Sequence, residues 1–201
     1  MKLIPKLISF LFNPLFIAFG GTLAYFLITP RFSPPENIRA ILAAVFIVTA
    51  AIPVLLFFLL RNLGWISRTN LYEAKTRKIP LYIYIAISYI ALIKIIPSSY
   101  SSELHFYFVG IIGALLATLF LIYFNYKVSL HMLGIGGLTT FVLGLSFHYE
   151  KNITLGLSIL FLIMGIVASA RLYQRANKTH ELATGVLLGA ITQLITFSYW
   201  L

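Results

Sequence analysis

Apolar residues run in long blocks from one end of this chain to the other, with short polar intervals between them. The blocks predict seven helices at roughly 8–28, 38–60, 81–96, 104–124, 131–147, 153–170 and 183–200. A hydrocarbon core of ~30 Å takes ~20 apolar helical residues to cross, so these blocks read as membrane spans. Their breaks have physical causes. Pro30, Pro34 and Pro35 end the first block, because proline lacks the backbone donor and its ring clashes with the preceding turn. Pro97 and the serines after it end the third, where Lys94 reaches the interface. The third and fifth blocks are short, which leaves tilt, re-entry or extension by neighbouring residues open. Gly134, Gly136, Gly137 and Gly144 in the fifth block suit close approach of a neighbouring helix. At the N-terminus Lys2 and Lys6 precede an apolar run like that of a signal peptide. The run continues to Ile28 without a small-residue cleavage site, so an uncleaved first span is expected.

Composition narrows the class. Of 201 residues 60% are hydrophobic and 10% charged, against ~25% charged in soluble domains, and the mean hydropathy is +0.96. The expected fold is all-α: a polytopic membrane helical bundle of six or seven transmembrane helices, forming a single integral membrane domain over 1–201. Cysteine is absent, which excludes disulfides and thiolate metal sites. The acidic residues are all glutamates, at 36, 73, 103, 150 and 181, so Asp-rich magnesium motifs are excluded as well. No metal, cofactor or nucleic acid partner is expected.

The charge is uneven. Seven crossings place the N-terminus and the connections 61–80, 125–130 and 171–182 on one face. That face carries eleven Lys and Arg residues against Glu73 and Glu181, and the other carries four against three glutamates. The positive-inside rule then predicts that the basic face is cytoplasmic. Such a face also attracts anions, whether lipid head groups, phosphate or an acidic partner.

Three clusters on the basic face carry candidate chemistry. The first is Lys75-Thr-Arg77-Lys78-Ile79-Pro80 before the third span. Its bases are topology determinants on one reading and a phosphate clamp on the other. The second is Ser129-Leu130-His131, opening the fifth span, where a hydroxyl, an imidazole and free backbone N–H groups can hold an anion. An interfacial histidine that is simply solvated is the plainer alternative. The third runs from Ala170-Arg171 to Asn177, His180, Glu181 and Gly185. Helical spacing puts 177, 180 and 181 on one face, and Asn177 also suits a plain N-cap of the last span.

In order and spacing the three clusters resemble the type-2 phosphatidic acid phosphatase family, whose pattern is Lys-x6-Arg-Pro, then Pro-Ser-Gly-His, then Ser-Arg-x5-His-x3-Asp. The resemblance covers 61–200, a lipid-phosphatase-like core preceded by two additional N-terminal spans in 1–60. Ser129, His131, Pro80, Arg171 and Gly185 match. Val128, Leu130, Ala170, Glu181, Ile79 and Tyr72 depart from the pattern, and Asn177 replaces the nucleophilic histidine. The resemblance implies phosphate binding by Lys75, Arg77, Lys78, Ser129 and Arg171. It implies catalytic roles for His131, His180 and Glu181 only if the protein is active.

An amide is not a nucleophile near neutral pH, so the resemblance leans away from an enzyme. It implies a catalytically degenerate, lipid-phosphatase-like membrane protein that binds lipid phosphate head groups or acts as an accessory subunit of a membrane complex. The alternative is an active phosphatase acting on a lipid phosphate monoester or polyprenyl diphosphate through His131 and a repositioned His180. The implied partners are membrane lipids, a phospholipid or polyprenyl phosphate ligand, and other membrane protein subunits. The implied location is the bacterial inner (cytoplasmic) membrane, as a multi-pass protein. An anion transporter ranks last, because the spans carry almost no ionisable residue outside the basic face.

Overall fold

The computed structural model describes residues 3–63 and 78–201, and these form helices joined by turns. In chain order the α-helices are α1 (Leu3–Leu11), α2 (Ile17–Ile28), α3 (Pro35–Phe46), α4 (Ile52–Asn62), α5 (Lys78–Lys94), α6 (Ser102–Tyr123), α7 (Leu130–His148), α8 (Thr154–Tyr173) and α9 (Thr179–Phe197). α1 with α2, α3 with α4, α6, α7, α8 and α9 make six stretches long and apolar enough to cross a membrane. α5, with 17 residues, sits at the lower limit of spanning length. The architecture is that of an all-helical, multi-pass membrane protein. α7 lies at its centre, packed on α9, α2 and α8.

The first span is not continuous, as its apolar run suggested. α1 ends at Leu11, and a single 3-10 turn over Pro14–Phe16 separates it from α2. Pro14 cannot donate to the carbonyl one turn back, and the Asn13 carboxamide caps the new turn by accepting from Leu15 N–H at 3.1 Å. Main-chain carbonyls near such a break need donors, since a bilayer supplies none. Four other helices or their ends provide them. His131 of α7 bonds Ser9 O at 3.0 Å and Gln174 beyond α8 bonds Pro5 O at 2.7 Å. Tyr84 of α5 bonds Pro14 O at 3.4 Å, and Tyr107 of α6 bonds Ile17 O at 2.8 Å. The second span also deviates, through a π-helical turn over Ile47–Ala51 ahead of Pro53. Phe46, beside that turn, packs on Phe16 and Phe19 at the first break.

Glycines set the α7–α9 seam. A Cβ on Gly189 would lie 2.1 Å from Leu133 O, one on Gly136 2.8 Å from Val186 O, and one on Gly185 2.7 Å from Ser129 O. Backbone therefore meets backbone at these three positions, which is how small residues join membrane helices. Gly144 plays a similar part further along, where the Phe197 and Trp200 rings occupy its missing side chain.

Three helices end in the same way. Asn125, Glu150 and Arg175 have φ of 57°, 51° and 50°. The bonds Tyr126 N–H to Leu121 O, Lys151 N–H to Ser146 O and Ala176 N–H to Arg171 O close each turn. These are Schellman terminations, in which glycine is the usual left-handed residue. A residue with a Cβ in that conformation is strained, so Arg175→Gly is expected to raise stability by about 0.5–1 kcal/mol. Thermal unfolding of the detergent-solubilised protein checks this, and an unchanged or lower midpoint would contradict it.

The end of the bundle away from the basic loops is tied by one carboxylate. Glu103, fully buried at the start of α6, accepts from Tyr149 OH at 2.8 Å and Ser101 Oγ at 3.0 Å. It pairs with Arg31 at 2.9 Å, and His148 Nε2 stands 3.3 Å away. Lys151 Nζ reaches back to Ile28 O at 2.7 Å, so the 29–34, 95–101 and 149–153 connections are drawn together there.

Candidate functional site

At the basic end, the turn after α8 builds a compact polar centre. The left-handed Arg175 reverses the chain, so that Asn177 returns beside Arg171. Arg171 donates from Nε and Nη2 to Asn177 Oδ1 at 3.0 and 2.9 Å. Asn177 Nδ2 donates to Glu181 Oε2 at 2.7 Å, and Lys178 N–H donates to the same oxygen at 3.2 Å. Glu181 thus caps α9 from its first turn, where a carboxylate also answers the helix dipole. Lys127 completes the centre. Its Nζ donates to Ala176 O and stands 3.7 Å from Glu181 Oε2.

Asn177 and Glu181 are buried, whereas His180 is exposed, its ring 5.8 Å from that of Tyr126. The expected common face of 177, 180 and 181 is therefore corrected. α9 begins at Thr179, so Asn177 lies before the helix and its amide turns inward while His180 turns outward. Asn177 is likewise not the N-cap, a position that Lys178 holds.

The second cluster meets the third across the glycine seam. Ser129 N–H donates to Glu181 O at 3.1 Å, which fixes the start of α7 against α9. Ser129 Oγ is buried and has no hydrogen-bond partner among the described residues. His131, two residues on, bonds Ser9 O through Nε2 and so contributes to holding the broken first helix. Lys78 opens α5 with its ammonium 3.9 Å from the centre of the Tyr123 ring, a cation–π contact. Lys75 and Arg77, like Tyr72, lie outside the described residues.

A cavity of about 290 Å³ lies inside the bundle and touches this centre at Arg171. Arg171, His131 and Asn13 belong to its wall, and most of the rest is apolar, including Ile17, Leu81 and Ala114. Its position follows from the first-span break, a feature the sequence reading passed over. The signal was present, because Asn13-Pro14 is a turn-forming pair inside an otherwise apolar run. Gln174 was also passed over, as a lone amide after a span gives no hint of a partner 165 residues away.

Chemically the centre can hold an anion. Arg171 and Lys127 supply two cations around one carboxylate, at low exposure where such charges act strongly. Residue 177, wedged between guanidinium and carboxylate, offers only an amide. Among the described residues no group of three metal-ligating side chains gathers. No family model, no curated protein and no solved structure matches this chain.

Proposed function

We propose that this protein binds lipid phosphate at its basic end as a catalytically degenerate, lipid-phosphatase-like membrane protein, with 61–200 as the phosphatase-like core. The observation that carries the reading is the placement of Asn177. The resemblance puts a nucleophilic histidine there, held by a carboxylate beside a phosphate-binding arginine. Asn177 bonds Glu181 on one side and Arg171 on the other, which supports reading the three as such a frame around a residue that cannot attack phosphorus. Binding survives such a loss because it needs only the cations and the polar hydrogens. We place the protein in the bacterial cytoplasmic membrane, where it acts alone on lipid or as a subunit of a larger complex.

The purified protein in nanodiscs is expected to release no phosphate from phosphatidic acid or a polyprenyl diphosphate while retaining labelled lipid phosphate. Arg171→Ala is expected to weaken that retention at least tenfold, the loss of one charge-assisted contact pair. Asn177→His restores an imidazole between Arg171 and Glu181, and slow phosphate release is expected from that variant alone. Turnover by the parent protein would overturn the degenerate reading. Retention unaffected by Arg171→Ala would overturn the phosphate reading.

A further inference from the structure

Beside Arg171 of the polar centre lies a space that the sequence did not announce. The cavity of about 290 Å³ is half-enclosed and lined by α2, α5, α6, α7 and α9, with Arg171 of α8 and the Asn13-Pro14 break at its side. The residues of the break, Asn13, Pro14 and Leu15, form part of its wall. An empty apolar cavity of this size costs a packed helix bundle stability, since its lining atoms lose their contacts.

We propose that this cavity holds the hydrocarbon chain of a single-chain lipid phosphate, whose phosphate sits against Arg171. The proposal rests on the phosphate reading above and adds the class of lipid. Three observations support it. The wall is apolar along Ile17, Leu81, Ala114 and Leu133, which suits a chain and no sugar or peptide. Arg171 belongs both to that wall and to the polar centre, so one ligand can reach both. The volume lies at the lower edge of the ~300–1,000 Å³ range of small-molecule pockets, room for one chain and not for two. A chain ending in phosphate belongs to a prenyl phosphate or to a lysophospholipid. A two-chain phosphatidate would leave its second chain outside.

The test measures retention of farnesyl phosphate, lysophosphatidate, dioleoyl phosphatidate, farnesol and inorganic phosphate by the full-length protein in nanodiscs. Both single-chain phosphates are expected to bind at least tenfold more tightly than dioleoyl phosphatidate or inorganic phosphate, and the tighter of the two identifies the source. Ala114→Phe fills the cavity and is expected to remove that advantage while leaving inorganic phosphate binding unchanged. Should Ala114→Phe fail to fold, Thr192→Phe fills the same cavity from α9. A cavity-filled, folded variant with undiminished affinity for single chains overturns the proposal, as does equal binding of dioleoyl phosphatidate. The two readings fail differently. If farnesol binds as tightly as farnesyl phosphate and Ala114→Phe blocks both, the phosphate reading falls and the chain site stands. If Arg171→Ala weakens every phosphate ligand while Ala114→Phe changes nothing, the chain site falls alone.

Discussion

A Glu103→Ala variant is expected to unfold about 3 kcal/mol more easily than the parent, near the lower end of the cost of breaking a buried ion pair from one side. Glu103 is fully buried, and its two oxygens receive Arg31, Tyr149, Ser101 and, at 3.4 Å, Ser102. Alanine removes every one of these contacts at once. Arg31 is half exposed and regains water, which holds the loss near 3 kcal/mol and not higher. Tyr149 does not recover as easily. Burial pushes its phenol above the ordinary range, with the Thr29 hydroxyl acting against the rise and Glu103 adding to it, so it remains a donor that needs an acceptor. Glu103→Gln keeps the shape and an acceptor, and about half the loss is expected from it. Denaturant or thermal unfolding in detergent reads both values. A Glu103→Ala protein within about 0.5 kcal/mol of the parent would show that the network does not hold that end. Lipid phosphate retention at the opposite end is expected to survive in the folded fraction, because the polar centre there shares no hydrogen bond with Glu103.

Apolar run length and proline placement made the seven helical blocks legible, because both are local properties of the sequence. Each predicted block corresponds to a helical stretch, and the ends differ by a few residues where caps decide. α9 starts at Thr179, ahead of the expected 183, because Glu181 reaches back to cap it. The close α7 packing was also legible, since glycines at 134, 136, 137 and 144 have few other uses inside an apolar helix. The pairing of residues was not. Nothing in the sequence says that Gln174 reaches Pro5 and Ser9, or that Tyr84 and Tyr107 answer carbonyls near the first-span break. Those are contacts between distant segments, set by how helices rotate once packed. The same holds for the islet around 171–181. Its charge was visible as a cluster, but the inward turn of Asn177 and the outward turn of His180 depend on the left-handed Arg175, a conformation arginine does not advertise.

That dependence makes the α7–α9 seam decisive for the site, and Gly189→Ala the most disruptive small substitution in it. The added Cβ would stand 2.1 Å from Leu133 O and 2.8 Å from Gly137 N, both backbone atoms that no rotamer change can move. The helices must separate, and the expected cost is about 3 kcal/mol, the upper end for overpacking. Separation also acts on the basic end. Ser129 N–H bonds Glu181 O across the same seam, and Glu181 in turn holds Asn177 against Arg171. The variant is therefore expected to lose lipid phosphate retention along with stability, even under conditions where it remains folded. Gly165→Ala is the matched control, since a Cβ there meets nothing within 4 Å, and alanine also favours the α8 helix over glycine. Comparing the two by thermal unfolding and ligand retention separates the seam from a general effect of replacing glycine. If Gly189→Ala retains ligand like the parent, the seam does not position the centre, and Arg171 with Asn177 must be held by the α8 turn alone.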